Sequence, residues 1–569
     1  MKNNKNQSAG LLTIAGISLC ATSLHAQKQE QKRPNFLVIL TDDMGYSDIG
    51  CFGSEINTPN IDKLASNGLR FTQYYNTARS SSSRASLLTG LYPHQAGMGY
   101  LANFNFEEPG YRDDLSKNAV TMAEVFKNAG YATYMTGKWH ISMGITPTGD
   151  QSNWPCQRGF DRFFGTLNGS GSYYDPGTLI NNNTFIAPGK NFYYTNAISD
   201  STVAFINQHP SQKPFFFYVA YTAAHWPLHA PESEVAKYKG LYDIGWDQTR
   251  VNRFNKLKKL GIIDKSCVLT KRGVTIPAWE KEPMKAWQIR RMEVYAAMID
   301  IMDQGVGRII TALEKKGLLE NTVIFYMHDN GGCAEPQDTD KPEIPLTSEQ
   351  KILKPFSYNS VSLEKRTVYS RDGYFVRSGR GVMAGPPDSW VAYGEEWANV
   401  SNTPYRLYKH YTHEGGIASP LIVSWPATIK AKGQLRRQPT HLIDIMATCI
   451  DLAGIKYPSQ FNGNQIIPYE GKSLRPAFTN KPIERQYLFW EHEGNRAIRE
   501  GNWKLVSTTI KSKKFTEADE KAWELYDLKN DPSETKNLAE KYPDRVKAMA
   551  DLWEKEAIRT TAKPWPWDK

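Results

Sequence analysis

Four consecutive serines, Ser80 to Ser83, run directly into Arg84 and a short helix-forming segment that stops at Gly90. A serine at a helix start can accept a hydrogen bond from an unpaired backbone N–H and act as a cap. A helix N-terminus with Arg79 and Arg84 beside it is alternatively an anion site. Arg84 lies four residues after Ser80 and so can reach back over the first turn. Carboxylates gather elsewhere. Asp42-Asp43 follows the apolar run Asn35 to Leu40, and His328-Asp329-Asn330-Gly331-Gly332 follows the apolar run Thr322 to Met327. Adjacent carboxylates at the end of a buried strand are costly unless solvated or bound to a cation, although Asp pairs also begin ordinary turns. Lys138 and His140 alternate, so on an extended segment they share a face. His225 lies just beyond the run Pro214 to Tyr221, where a histidine is a better catalytic candidate than one isolated among aromatics, because ligands collect at that edge of open α/β sheets. Lys409, His413 and Glu414 stand ahead of a further apolar run, Pro420 to Val423.

The elements that must position these groups are legible in outline. Continuous apolar runs are the pattern of strands buried on both faces. Between them lie helix signals: Thr58-Pro59, the capping box Thr121 to Glu124, a long amphipathic stretch from Met292 to Lys316, and His441 to Leu452. Strands alternating with helices give an α/β main body. After about Pro482 the pattern becomes short alternating strands, Tyr487 to Trp490, Arg496 to Arg499, Trp503 to Val506 and Trp523 to Asp527, closed by a helix from Pro543 to Ala557. The expected organisation is a catalytic domain over residues 34–482 and a smaller antiparallel C-terminal unit over 483–569. Residues 333–400 are Pro/Gly- and Tyr-rich without periodicity. Tyr369, Arg371, Tyr374, Arg377, Trp390, Tyr393 and Trp397 would suit sugar stacking and anion contacts, and equally a packed insertion.

With 569 residues, 40% hydrophobic and 22% charged, the chain can bury a large core. Its net charge of +10 is spread along the sequence and not gathered in a basic arm, so nucleic acid is not the first partner to expect. Lys2 and Lys5, the apolar stretch Leu11 to Leu19, and Leu24-His25-Ala26 read as a secretory signal over residues 1–26, cleaved near Ala26. Cys20 raises the alternative of a lipoprotein, which Leu19 just before it disfavours. No other stretch is apolar enough to span a membrane, so an exported protein without an integral span is expected. The six cysteines are far apart, with no metal or disulfide spacing, and read as scattered core thiols.

Taken together, Thr41-Asp42-Asp43-Met44-Gly45, the serine stretch through Leu88-Thr89-Gly90, Gly137-Lys138-Trp139-His140, Ala224-His225, Asp329-Asn330-Gly331, Lys409 and Trp523 to Asp527 resemble the sulfatase family, a branch of the alkaline-phosphatase-like superfamily. The resemblance covers nearly the whole mature chain, and the 380–426 stretch is similar to sequences commonly labelled arylsulfatase. It implies a large mixed, mostly parallel sheet flanked by helices, with a smaller C-terminal antiparallel sheet. It also implies that Ser80 is oxidised to formylglycine (3-oxoalanine), an aldehyde that hydrates to a gem-diol; Ser82 stands where Pro or Ala is usual. A serine start implies a radical-type maturase of anaerobic bacteria, which fits an exported bacterial protein of the periplasm or envelope. By the same resemblance Asp42, Asp43, Asp329 and Asn330 hold one Ca²⁺ that also touches residue 80. Arg84 holds the hydrated aldehyde, and Lys138, Lys409 and His225 contact sulfate. His225 is the expected acid and His140 the expected base. His413, with Glu491, His492 and Arg496 from the C-terminal unit, would read the substrate; for His492 a packed hairpin residue is an equal alternative. The expected activity is sulfuric ester hydrolysis on a sulfated carbohydrate. The alternatives are a phosphate or phosphonate monoester hydrolase on the same scaffold, and a non-catalytic sulfated-glycan binder if Ser80 stays unmodified.

Overall fold

The apolar runs form the centre of one sheet. In the computed structural model, which describes residues 33–508 and 522–566, this sheet comprises eleven strands. They are β1 (Asn35–Thr41), β2 (Leu69–Tyr75), β3 (Ala132–Lys138), β4 (Arg162–Thr166), β5 (Leu179–Asn181), β6 (Thr184–Phe185), β7 (Phe215–Ala220), β8 (Thr322–His328), β9 (Ala418–Ser424), β10 (Gln434–Arg436) and β11 (Thr440–His441). The spatial order is β10-β2-β9-β8-β1-β7-β3-β4-β5-β6, with β11 also pairing β2. The expected signal segment, with Cys20, lies outside the described residues. No helix among the described residues is long and apolar enough to cross a membrane.

The central five strands, β8-β1-β7-β3-β4, are parallel, with Val38 of β1 opposite Tyr218 of β7 and Phe325 of β8. Their C-terminal ends therefore share one edge of the sheet. β9 is antiparallel to both β8 and β2, so the chain enters β9 from that same edge, and β2 leaves by it. This arrangement brings the segments after β1, β2, β3, β7 and β8 together with the segment before β9.

Both faces of β1 are covered. Leu37 and Ile39 join one core with the helices Pro59–Asn67, Tyr194–Gln208 and Lys285–Lys315. Phe36, Val38 and Leu40 join another with Ser80–Thr89, Met122–Asn128 and Ile443–Ala453. Each of these five side chains is at most 1% exposed, and burial of each is worth roughly 1.5–3 kcal/mol. The capping box forms as its spacing implies: Glu124 N–H donates to Thr121 Oγ1 (3.1 Å) and Thr121 N–H donates to Glu124 Oε2 (2.7 Å).

The C-terminal sheet follows a small hairpin, β12 (Gln460–Phe461) with β13 (Asn464–Gln465). It is an antiparallel meander of β14 (Leu488–His492), β15 (Asn495–Glu500), β16 (Trp503–Ser507) and β17 (Glu524–Asp527). Phe489, Ile498, Leu505 and Leu525 pack beneath the Pro543–Arg559 helix. Leu488, Trp490, Ala497 and Val506 point the other way and merge with the main core. A buried ion network ties the two sheets: Lys504 Nζ lies 2.8 Å from both Glu414 Oε1 and Glu534 Oε1, and Tyr75 donates to Glu414 Oε2 at 3.0 Å.

Some expectations change. The long helix begins at Lys285, two turns before Met292. The short strands β4–β6 and β10–β11 carry no sequence signal, because their pairing comes from the sheet beside them. Within residues 333–400, the part from 370 onward is mainly a packed insertion, whereas 341–361 lies largely at the surface. Arg371 pairs with buried Asp175 at 2.6 Å, Tyr393 stacks on Tyr295 at 4.4 Å, and Trp390 and Trp397 are buried.

Candidate active site

The helix Ser80–Thr89 is buried throughout and starts at the shared sheet edge. None of its serines caps it. Arg79 occupies the cap position in an extended conformation without a side-chain bond, and Ser80 is already the first helical residue. The serine hydroxyls turn outward from the helix instead. Ser82 donates to Met98 O (2.8 Å), and Ser83 donates to Asp329 O (2.5 Å), fixing the helix against the loop after β8. Gly90 ends the helix in the left-handed region (φ 68°), as a C-terminal glycine does.

Arg84 is fully buried and reaches back as its spacing requires: Nε donates to Ser80 Oγ at 2.9 Å. Its other nitrogens donate to Lys138 O (3.0 Å) and lie 3.3 Å from Asp42 Oδ2 and 3.4 Å from Asp329 Oδ2. Lys138, also fully buried, donates to Asp42 Oδ2 at 2.5 Å. Burial pushes the Lys138 ammonium down to about 8, with Asp42 opposing the shift. Burial, and then the neighbouring Asp329, push the Asp42 carboxyl up to about 6.

That repulsion accompanies a second anomaly. Asp42 Oδ1 and Asn330 Oδ1 are buried and accept no hydrogen bond among the described residues. Buried oxygens are ordinarily satisfied. Asp43 completes the cluster: its Oδ1 accepts from Asn330 Nδ2 at 2.7 Å, and its backbone N–H donates to Asp329 Oδ1 at 3.2 Å. Three carboxylates and an amide oxygen, two of their atoms unmatched, fit a hard divalent cation with oxygen ligands.

Lys409 lies 2.9 Å from Asp43 Oδ1 and 3.0 Å from Oδ2. Burial works against the Asp43 charge, but Lys409 and then His225 outweigh it and hold this carboxyl well below its usual range. His225 Nε2 is 3.5 Å from Asp43 Oδ2, while Nδ1 bonds Trp226 O at 2.6 Å. A carbonyl can only accept, so Nδ1 carries hydrogen and Nε2 faces the site. Burial pushes this imidazole down to about 4, with Asp43 and Asp42 pulling the other way. His140 follows β3 with φ 57°, and a Cβ added at Gly169 would come within 2.2 Å of its ring. Burial, then Lys138 and Arg84, hold His140 far below the usual imidazole range.

Ser80, His140, His225 and Lys409 line one cavity of about 410 Å³, together with Arg79, Trp226 and Glu335. Ser80 is only 2% exposed and sits at its floor. Glu335 and His410 were not singled out by the sequence. Glu335 lies 3.2 Å from Arg79 Nη1 and 3.0 Å from His410 Nε2, and accepts from Trp226 Nε1 at 2.9 Å. Burial raises this carboxyl, yet Lys409, His410 and Arg79 hold it well below the usual range. The one available signal is its position five residues after Asn330.

The structure does not bring the four expected substrate readers to the cavity. His413 is buried, 3.5 Å from Glu524. Glu491 bonds His94 Nε2 (2.6 Å), Tyr111 OH (3.1 Å) and Gly494 N–H (2.7 Å), where the C-terminal sheet packs on the main body. Arg496 lies over the Trp523 ring at 4.3 Å and bonds Ser507. His492 is fully buried behind the cavity rim, with Nδ1 on Gly99 O at 3.3 Å, which matches the packed-hairpin alternative. In each case an ion pair, a hydrogen bond or ring contact within the fold takes the polar tip that substrate would need.

The family models decide what this geometry belongs to. The model described as Sulfatase matches residues 34–455. The chain belongs to the sulfatase family. A second model, N-sulphoglucosamine sulphohydrolase, C-terminal, matches residues 405–559. This sulfatase is 34% identical to an uncharacterized sulfatase of Schizosaccharomyces pombe over 93% of this chain and 94% of that protein. It is 33% identical to an arylsulfatase of Klebsiella aerogenes over 80% and 94% of the two chains. It is 26% identical to an N-acetylglucosamine-6-O-sulfatase of Bacteroides thetaiotaomicron over 96% and 90%. The crystal structure of Ps i-CgsB shares the fold, with a TM-score of 0.61 and 24% identity over 94% of this chain and 93% of that one. The protein is thus a sulfuric ester hydrolase of alkaline-phosphatase-like fold.

Proposed function

We propose that this sulfatase removes sulfate from a sulfated carbohydrate, with residue 80 acting as formylglycine beside one Ca²⁺. The observation that carries this reading is the cavity floor: Ser80 Oγ held by Arg84 Nε at 2.9 Å, with Lys409, His140 and His225 lining the space above it. Asp42, Asp43, Asp329 and Asn330 would hold the cation, which would supply Lewis-acid polarisation of the ester and lower the pKa of the nucleophile. As a hydrated aldehyde, residue 80 would offer one hydroxyl to attack sulfur and a second whose deprotonation expels sulfate; an ordinary serine would be left as a stable sulfate ester.

The remaining work falls to this chain's own side chains. Arg84 orients residue 80 and offsets its developing charge. Lys138 and Lys409 stabilise the sulfate oxygens as the ester bond breaks. His225 Nε2 delivers a proton to the leaving alcohol. Its buried ring is neutral in the resting site, and a sulfate anion placed beside Nε2 favours the charged form needed for that transfer. His140, neutral and with its buried Nδ1 unpartnered among the described residues, accepts the proton of the second hydroxyl.

A carbohydrate substrate is supported by the amide and hydroxyl groups that Asn103, Asn168 and Ser170 bring to the cavity lining and by the Bacteroides relative's named activity. Residues 34–482 would form the catalytic domain, 483–569 the C-terminal subdomain. Export to the periplasm or envelope and activation by a radical-type maturase belong to the same reading. The test compares matured enzyme on 4-nitrophenyl sulfate, 4-nitrophenyl phosphate and a panel of sulfated mono- and disaccharides. Sulfate release from at least one sugar is expected. Robust phosphate turnover without sulfate release would sink the proposal.

A further inference from the structure

One loop separates two cavities. Leu101 to Phe104 line the catalytic cavity, and Asn105 and Glu107, next in the chain, line a larger one of about 700 Å³. Phe104 stands on the ridge between them and is 50% exposed, unusual for a phenyl ring beside a catalytic cleft. The ring is not loose. Tyr100 meets it edge-on, with centroids 5.4 Å apart and planes at 89°, and Phe106 lies nearly parallel to it at 6.5 Å. Tyr100 is itself stacked on buried His492 at 6.3 Å. Phe104 N–H donates to Leu101 O at 3.3 Å, which closes the loop beneath it. The phenyl ring is therefore presented on a support that reaches back to the C-terminal sheet.

The second cavity has different chemistry. Asn105, Arg112, Asp113, Asn118 and Gln465 contribute amide, guanidinium and carboxylate groups to its lining. Such groups pair with hydroxyls, while an aromatic face accepts the C–H face of a pyranose ring.

We propose that Phe104 forms a second sugar subsite, so that the substrate is an oligosaccharide running from the catalytic cavity across Phe104 into the polar furrow bounded by Asn105, Arg112, Asp113 and Gln465. This rests on the carbohydrate reading above and adds chain length and direction to it. The terminal sulfated sugar occupies the cavity over residue 80. The next sugar stacks on Phe104, and further sugars bond the furrow.

The test measures kcat/KM of enzyme co-produced with a maturase. The monosaccharide probes are galactose 6-sulfate, galactose 4-sulfate and N-acetylglucosamine 6-sulfate. The oligomers are size-graded carrageenan and chondroitin sulfate fragments, with 4-nitrophenyl sulfate as a sugar-free reference. On the sugar series that is turned over, oligomers should exceed the matching monosaccharide by about tenfold or more, the size of an aromatic contact. Phe104→Ala should reduce that advantage to less than about threefold, and Phe104→Tyr should retain it. Circular dichroism confirms that both variants are folded. Parity between monosaccharide and oligomers, or an undiminished preference in Phe104→Ala, overturns the subsite alone. Turnover of 4-nitrophenyl sulfate without release from any sugar overturns the carbohydrate reading, and the subsite with it.

Discussion

Calcium should stabilise this protein, and the amount can be worked out from the cluster at the sheet edge. Asp42 and Asp329 repel each other within a buried site, and Asp42 Oδ1 and Asn330 Oδ1 accept nothing among the described residues. A buried unsatisfied polar group costs about 1–3 kcal/mol, and a bound cation relieves both oxygens at once. At a free Ca²⁺ concentration of 100 times Kd, linkage adds about 2.7 kcal/mol. A chain of this size unfolds with an entropy of about 1.1 kcal/mol per K near 60 °C, so Tm should rise by about 2–3 °C over the EDTA-treated protein. Asp42→Asn removes the charge of one ligand, and Asn330→Ala removes a ligand outright. A tenfold weaker site at the same Ca²⁺ keeps about half the shift. Mg²⁺, which demands a tighter octahedron and sheds water reluctantly, should give a smaller shift than Ca²⁺. Differential scanning fluorimetry across a Ca²⁺ series reads all of these. A wild-type Tm that does not move, or shifts unchanged in both variants, would refute the assignment.

Other consequences are equally open to measurement. His225→Ala should cut kcat by about 10²–10⁴ on a sugar sulfate, whose alkoxide is a poor leaving group, but by less than about tenfold on 4-nitrophenyl sulfate; equal losses on both would remove His225 as the acid. Lys504→Met leaves Glu414 and Glu534 buried without their shared cation, so the unfolding free energy should fall by about 3–5 kcal/mol in urea titrations; a change below about 1 kcal/mol would show that the two sheets do not depend on this network. His229, buried and bonded through Nε2 to Ser389 O at 2.7 Å, is pushed down to about 4 by burial, against about 6.5 when unfolded. Its stabilising contribution is full above the unfolded value and is lost as pH falls towards the folded one. Between pH 7 and 5 it should account for about 2 kcal/mol of lost stability, which His229→Gln should abolish. Parallel pH dependence in wild type and variant would contradict this.

What the sequence disclosed depended on how local the physics was. Asp42, Asp329 and His225 were legible because continuous apolar runs mark buried strands, and the residues just past them fall on one edge of a parallel sheet. The Ser80–Arg84 contact was legible because it spans one helical turn. Glu335 was not, since it sits in a long stretch without periodicity and is held by Arg79, Trp226 and His410 from three other segments. His413, Glu491 and Arg496 show the converse error. Their proximity in sequence to catalytic or surface segments implied exposure, yet Glu524, His94 and Trp523 take their polar ends within the fold. The serine run was the ambiguous case: its composition favours a cap, and only the surrounding fold turns Ser82 and Ser83 into anchors and leaves Ser80 facing the cavity.

The central claim is chemical, and one spectrum addresses it. The peptide containing Ser80 should be taken from protein purified from its native source, or co-produced with a radical-type maturase, and its intact mass measured beside sulfate-releasing activity. The account predicts a peptide lighter than the encoded sequence by two hydrogens, with the modified fraction tracking specific activity across preparations. A peptide of unaltered serine mass in a fully active preparation would contradict it.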